Sequence, residues 1–161
     1  MQKISPCLWF NDQAEEAAKF YTGIFKNSKI LEISRYTEAG NDVHGRPAGS
    51  VMAVSFELDG TTFAALNGGP QFTFTEAISL QIDCKDQPEV DYYWEKLIEG
   101  GGKPVQCGWL KDKYGLSWQV VPTVLKEMLL DKDTAKASRV METMLKMVKL
   151  DIATLTKAHE A

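Results

Sequence analysis

A glutamine inside an apolar run is the residue of this sequence whose type most needs a chemical explanation. Residues 107–122 read CGWLKDKYGLSWQVVP, and Gln119 lies there between Trp118 and Val120. A buried strand would ordinarily take an apolar side chain at this place, and a metal site would take a carboxylate or an imidazole. An amide can hydrogen-bond a neutral ligand, or it can be satisfied by neighbouring backbone or by water. Both interpretations stay open, and neither requires catalysis.

A thiol and several indoles are the other side chains that could do chemistry. In the β-rich run ISPCLWF (4–10), Ser5, Cys7 and Trp9 alternate with apolar residues and therefore share one face of the predicted strand. A reactive thiol could lie there, but no histidine or basic residue is placed to activate it. Indoles on strands are more often core than pocket lining. The candidates for pocket lining are Trp9, Trp109 and Trp118.

Composition excludes several classes of protein. The chain has 161 residues, of which 44% are hydrophobic, so it can bury a full core. Its 22 acidic and 18 basic residues give a formal net charge of −4 without a basic cluster, so we expect no nucleic-acid partner. No apolar run approaches membrane-spanning length and no secretory signal pattern is visible, which predicts a soluble, cytoplasmic protein. Three widely spaced cysteines predict reduced thiols rather than a disulfide framework.

The first half of the chain follows a β-α-β-β-β order. After the first strand, Asp12 and Glu15 resemble a capping box, and apolar residues from Ala17 to Phe25 recur at helical spacing. Strands are predicted over 28–36, 50–58 and 61–67. The polar, glycine-rich segment 37–49 between the first two of these is predicted to be a mobile loop.

The same order repeats in the second half of the chain. A β run over 77–84 ends near Asp86, and a second apolar stripe of the same spacing begins at Val90. The triple glycine 100–102 ends this helix, and strands are predicted near 103–111 and 116–122. A repeated strand, cap and stripe indicate an internal duplication. We therefore predict an α+β fold and a single structural domain with three parts: a first module over 1–75, a second, shorter module over 76–122, and a C-terminal helical extension over 123–161.

Four stretches carry a resemblance to a known family: PCLWFNDQAEEAAKFYTGIF (6–25), LNGGPQFTF (66–74), residues 107–122 and KASRVMETMLKMVKLDIATL (136–155). They resemble the vicinal oxygen chelate superfamily, which includes glyoxalase and bleomycin-resistance proteins. Within it they are most similar to the PhnB-like group, often labelled 3-demethylubiquinone-9 3-methyltransferase-like. The resemblance implies two β-α-β-β-β modules that form curved half-barrel sheets, a homodimer, and a small-molecule cavity.

The resemblance also implies where metal ligands would stand. The ligand positions of metal-using members fall here on Ser5, on Ala65 with Asn67 two residues on, on Ser79 and on Gln119, and both histidines lie elsewhere. Uncharged hydroxyls and amides do not repay the dehydration of a hard divalent ion. We therefore expect no metal and no other cofactor. The cavity candidates are Ser5, Cys7, Trp9, Asn67, Ser79, Gln81, Trp109 and Gln119.

Three functional classes remain at this stage. The first is a metal-free protein that binds a small molecule, with its reaction unknown. The second is a metal-dependent lyase, isomerase or transferase that uses acidic residues such as Asp83 or Glu57. A methyltransferase, as the group's label suggests, is disfavoured because no glycine-rich fingerprint for a nucleotide or S-adenosylmethionine is present. The third is a partner-binding protein that uses its Met-rich tail.

The C-terminal extension has its own amphipathic pattern. Its apolar positions form one helical stripe: Val140, Met141, Met144, Leu145 and Val148. The stripe could pack on its own subunit or across a dimer, and the sequence does not decide between the two. Deletion from Thr134 onward is expected to lower solubility or dimer stability.

Overall fold

The computed structural model of the chain describes residues 2–161. These residues form two compact units, one ending at Thr73 and the other running from Phe74 to Ala161. Each unit contains one four-stranded sheet. The predicted α+β fold with two β-α-β-β-β modules and a C-terminal helical extension is confirmed.

In the first unit the sheet order is β1-β4-β3-β2, with β1 parallel to β4 and the other pairs antiparallel. Its elements are β1 Cys7–Phe10, α1 Ala14–Ile24, β2 Lys29–Arg35, α2 Asn41–His44, β3 Val51–Leu58 and β4 Thr61–Asn67. The alternation of buried and half-exposed residues along β3 and β4 shows that one sheet face forms the core. Helix α1 packs on that face through Ala17, Tyr21 and Ile24.

The start of α1 corrects one prediction. Asp12 and Glu15 were expected to form a capping box, but the helix begins at Ala14 and its N-cap residue Gln13 makes no side-chain cap bond. The amide N–H of Ala14 instead donates to Oδ1 of Asn67, 2.8 Å away. A residue at the end of β4 therefore satisfies a helix N–H that has no partner within the helix.

Segment 37–49, which was predicted to be a mobile loop, has local structure of its own. It contains the short helix α2, and its ends are joined because the amide of Gly49 donates to the carbonyl of Tyr36 over 2.8 Å. The Tyr36 ring packs on His44 in a tilted arrangement, with ring centroids 4.6 Å apart and an interplanar angle of 33°, and its hydroxyl donates to the carbonyl of Asn67 over 2.6 Å. Backbone and side-chain bonds thus hold this segment against the end of β4.

In the second unit the sheet order is β5-β8-β7-β6, with β5 parallel to β8 and the other pairs antiparallel. Its elements are β5 Ser79–Cys84, α3 Gln87–Ile98, β6 Lys103–Pro104, β7 Trp109–Lys111, β8 Ser117–Pro122, α4 Thr123–Leu129, α5 Thr134–Met144 and α6 Ile152–Glu160. In both sheets the first and last strands of the module pair in parallel. The predicted duplication is therefore present in the topology as well as in the sequence.

Helix α3 has the predicted ends. Its N-cap Asp86 accepts a hydrogen bond from the amide of Glu89 over 3.0 Å, and Pro88 lies in the first turn. The chain leaves the helix through Gly100, whose φ of 76° is a left-handed conformation that glycine adopts without strain. The helix buries Val90, Trp94 and Leu97.

The C-terminal extension forms three short helices and a core of its own with the end of β8. The buried residues of this core are Val121, Leu125, Met128, Val140, Leu150 and Leu155. Only part of the predicted stripe is buried. Helix α5 ends at Met144, and Met141, Leu145 and Val148 are 41–57% exposed. Over residues 2–161, none of the helices combines the length and the apolar character needed to cross a bilayer.

Candidate functional site

Four of the predicted cavity residues lie together on one face of the second sheet. Gln119 on β8 is paired with Gln81 on β5 and with Trp109 on β7, so the three residues form one row across three strands. Ser79 lies two residues before Gln81 on the same side of β5. Gln81 is exposed, and the other three are partly buried. We call Ser79, Gln81, Trp109 and Gln119 the amide face.

The amide face is internally hydrogen-bonded but keeps polar groups available. The amide nitrogen Nε2 of Gln119 donates to Oγ of Ser79 over 2.9 Å. This bond fixes the glutamine side chain across the parallel strand pair. The carbonyl oxygen of Gln119 and the exposed amide of Gln81 can then bond a ligand that has both donors and acceptors.

Ser117 is a site residue that the sequence reasoning missed. It precedes Gln119 by two residues on β8 and is paired with Ser79 and with Lys111, so it belongs to the row beside Gln119. The residue is 1% exposed, and its Oγ has no hydrogen-bond partner in residues 2–161. A buried hydroxyl without a partner is uncommon in folded proteins. The two-residue spacing from Gln119 was the signal in the sequence that could have identified it.

Charge near this row is balanced by one ion pair. Lys111, the other neighbour of Ser117 on β7, pairs with Glu76. The hydrogen bond from Lys111 lowers the pKa of Glu76 below its usual value, so this carboxylate is ionised at neutral pH. The row beside the amide face therefore carries no net charge from these two residues.

Trp118, the third tryptophan considered for pocket lining, points to the opposite side. It is 2% exposed, and its indole Nε1 donates to Oδ2 of Asp112 over 2.9 Å. Leu110 and Val120 are fully buried on the same side of the sheet. Trp118 is a core residue of the second unit, as the parity of β8 requires.

In the first unit, Cys7 and Trp9 lie on the side of β1 away from the core, as strand parity predicted. Cys7 is exposed and Trp9 is partly buried, whereas Leu8 and Phe10 are buried. Ser5 precedes β1, is exposed, and accepts a bond from Nε2 of Gln2 over 3.3 Å. Of these three residues, only Trp9 is held by a strong contact, because its indole Nε1 donates to the carbonyl of Gly69 over 2.9 Å.

Asn67 does not join Cys7 and Trp9. It is paired with Phe10 on β1 and is 5% exposed on the core side of β4. Its Oδ1 accepts from the amide of Ala14, and its Nδ2 donates to the carbonyl of Val51 over 3.1 Å. Both polar atoms of the side chain are thus used by the fold. Asn67 was expected among the cavity residues, but the structure places its side chain in the core.

The residues at the implied ligand positions do not fit a divalent metal. Ser79 and Gln119 bond each other, and Asn67 bonds the backbone. Within the described part of the chain, no three side chains from His, Cys, Asp and Glu are grouped closely enough to hold a metal ion. The two acidic alternatives have other partners: Asp83 accepts from Lys126 over 2.7 Å, and Glu57 lies 4.0 Å from Lys29. A hard cation would find uncharged donors here.

The buried thiol of Cys84 has no catalytic features. Burial, followed by the negative charges of Glu89 and Asp83, raises the pKa of Cys84 to about 12. The thiol is therefore protonated at neutral pH and is a poor nucleophile. Its sulfur is fully buried among the core residues of the second unit.

Comparison with known proteins identifies the family. The family model described as 3-demethylubiquinone-9 3-methyltransferase matches residues 2–121. The PhnB protein of Bacillus cereus is 37% identical, with a TM-score of 0.66 over 76% of this chain and 100% of its own. Protein PA1353 of Pseudomonas aeruginosa is 17% identical with a TM-score of 0.59 over 76% of this chain and 98% of its own, a likeness of fold. No curated protein matches the chain. The family model and the B. cereus structure agree with the motifs of the sequence: the chain belongs to the PhnB-like family described as 3-demethylubiquinone-9 3-methyltransferase.

Proposed function

We propose that this PhnB-like protein binds a neutral small molecule on the amide face without a divalent metal. The observation that carries the proposal is the buried Oγ of Ser117, which has no partner in residues 2–161 and lies beside the bonded pair Ser79 and Gln119.

The argument starts from the cost of an unsatisfied hydroxyl. Leaving a buried polar group without a partner costs about 1–3 kcal/mol. A ligand hydroxyl group would donate to the free carbonyl oxygen of Gln119 and accept from the hydroxyl of Ser117, and it would recover that free energy once a local movement exposes Oγ of Ser117, which is closed to solvent in the free protein. The partly buried indole of Trp109, in the same row as Gln119, would cover an apolar part of the ligand.

The test is a ligand screen by thermal shift with matched pairs of variants. Ser117→Ala and Gln119→Ala change the proposed site, whereas Ser138→Ala and Gln106→Ala remove the same groups from exposed positions of the same unit. A compound that binds as proposed raises the melting temperature of the unmodified protein and of the two controls. Its effect is lost or strongly reduced in Ser117→Ala and Gln119→Ala.

Two results would contradict the proposal. One is a compound whose thermal shift is the same in the site variants and the controls. The other is a Ser117→Ala variant that is destabilised by several degrees without ligand, because that result would show that the hydroxyl already has a partner in the free protein.

The metal-dependent alternative makes a different prediction. A lyase, isomerase or transferase that used Asp83 or Glu57 would retain a stoichiometric metal. Mass spectrometry of untagged protein after equilibration with zinc, nickel, manganese and magnesium tests this directly. A metal at one equivalent, lost in Asp83→Asn or Glu57→Gln, would replace our proposal with the alternative.

The family description supports a third possibility, methyl transfer. The structure offers little for S-adenosylmethionine, since the triple glycine 100–102 follows a helix instead of leading from a strand into one. Calorimetric titration with S-adenosylmethionine would show saturable binding if the chain were a methyltransferase, and we expect none.

We also propose that the protein is a cytoplasmic homodimer. The support is the family resemblance and the exposure of apolar side chains on the C-terminal extension, where Leu145 is 57% exposed and Leu130 is 83% exposed. Sedimentation velocity at micromolar concentration tests the dimer. A monomer at all concentrations would contradict it.

A further inference from the structure

A guanidinium group stands at the turn that follows β4. Nη2 of Arg46 donates to the carbonyl of Asn11 over 2.6 Å, and the same carbonyl accepts from the amide of Gly69 at 3.3 Å. No carboxylate within residues 2–161 forms an ion pair with Arg46. A guanidinium has five N–H donors, so one bond to a neutral carbonyl leaves most of these donors without a protein partner in the described part of the chain. It also leaves the positive charge without a counterion there.

The backbone of Arg46 is fixed as well. Its amide donates to Nδ1 of His44 over 2.9 Å, and Nε2 of His44 lies 3.1 Å from the carbonyl of Ala39. The ring of Tyr36 packs against His44. His44 therefore helps to hold the backbone of Arg46 in place. A cation held this way loses little conformational entropy when an anion binds.

An aromatic pair stands at the same turn. The indole of Trp9 lies against Gly68, where a Cβ would come within 2.3 Å of the ring, so the close approach requires glycine. Phe72 meets Trp9 edge to face, with centroids 4.9 Å apart and an interplanar angle of 75°. Phe72 is nevertheless 65% exposed, so the outer face of this aromatic pair is open to solvent.

One glycine connects the cation and the aromatic pair. A Cβ built on Gly69 would lie 2.5 Å from Oε1 of Gln71 and 3.4 Å from Nη2 of Arg46, so both polar groups flank this residue. The carbonyl of Gly69 accepts the bond from Trp9. A guanidinium, an amide and two rings thus lie at the same turn.

We propose that this turn binds a small aromatic carboxylic acid. The carboxylate pairs with Arg46 and is bonded by the amide of Gln71, while the aromatic ring packs on Phe72 and the edge of Trp9. A carboxylate matches the paired donors of a guanidinium, and a planar ring matches the edge-to-face geometry of the aromatic pair. The site belongs to the first unit, and its test does not depend on the amide face.

The experiment uses benzoate as a probe on the full chain. Titration is followed by ¹H–¹⁵N NMR through the indole Nε1–H of Trp9 and the backbone amides of Arg46 and Phe72. Benzoate is expected to shift these signals saturably. Benzamide lacks the charge and acetate lacks the ring, so each is expected to bind at least about tenfold more weakly than benzoate. Equal binding of benzoate and benzamide, or no shift with benzoate, would overturn the proposal without any variant.

Variants then assign the charge to one residue. Arg46→Gln is expected to weaken benzoate binding about tenfold. The control is Arg35→Gln, because Arg35 also donates to one backbone carbonyl, that of Gly49, over 3.1 Å. Phe72→Ala, at an exposed position, is expected to weaken benzoate but not acetate. Equal effects of Arg46→Gln and Arg35→Gln would overturn the assignment.

Discussion

Replacing Asn67 by alanine separates a structural role from a ligand-binding role. The side chain makes two hydrogen bonds to backbone, to the amide of Ala14 and to the carbonyl of Val51, and it is 5% exposed. Asn67→Ala leaves a donor and an acceptor without partners, at a cost of about 1–3 kcal/mol for each. Because neighbouring groups share part of the relaxation, we expect a total loss of about 2–4 kcal/mol.

Thermal and urea unfolding measure this loss. For a chain of this size, about 2–4 °C of melting temperature corresponds to 1 kcal/mol, so the expected decrease is roughly 4–16 °C. The matched control is Asn41→Ala, since Asn41 is exposed and its Nδ2 makes one hydrogen bond, to the carbonyl of Arg46 over 3.0 Å. We expect the control to lose less than about 1 kcal/mol.

The reasoning would be refuted by equal unfolding midpoints for the two variants. Asn67 would then contribute nothing special to the start of α1, and its assignment to a ligand cavity would regain support. A large decrease in stability together with unchanged ligand affinity would instead place Asn67 in the core alone.

Three further outcomes follow from burial and charge. Leu155→Ala, at a fully buried position, is expected to cost about 2–5 kcal/mol, whereas Leu130→Ala, at a position 83% exposed, should change stability by less than about 0.5 kcal/mol; urea unfolding compares the two. Hydrogen bonds from Thr154 hold the pKa of Asp151 below its usual 3.8, so this residue stabilises the fold above about pH 4 and the stability is lost as the pH falls through the lower folded pKa. When the pH is lowered from 5 to 3, the melting temperature of Asp151→Ser should therefore decrease less than that of the unmodified protein. With iodoacetamide at pH 8, intact-mass measurements should show exposed Cys7 modified and Cys84, with its pKa raised to about 12, unmodified; early modification of Cys84 would contradict this.

Features of the fold with a local sequence period could be predicted. The side of β1 on which Cys7 and Trp9 lie follows from a period of two residues, and the buried stripe of α3 follows from a period of 3.6. The cap at Asp86 is also local, because its partner Glu89 is three residues away. The duplication was visible because these local patterns occur twice in the same order.

Features that depend on distant pairing could not be predicted. The cap of α1 comes from Asn67, which is 53 residues away from Ala14. The preceding sequence offered a capping box with a plausible local geometry, and a tertiary contact took its place. The lack of a partner for Ser117 is likewise a property of the packed structure, since a serine on a strand is usually bonded or solvated.

The C-terminal extension shows why a family match does not define the folding unit. The match ends at residue 121, yet Val121 is buried with side chains from α4, α5 and α6. The side chain of Gln87, at the start of α3, donates to the carbonyl of Leu150 over 3.1 Å and accepts from the amide of Ile152 over 2.8 Å. The amide of Gly108, just before β7, donates to the carbonyl of Val148 over 2.8 Å. Deletion from Thr134 onward would break these bonds and expose part of the core, and it would alter the residues that lead into Trp109. Ligand binding to the amide face therefore has to be measured on the full chain, because loss of binding in a truncated protein would report unfolding of β7 as readily as loss of a site.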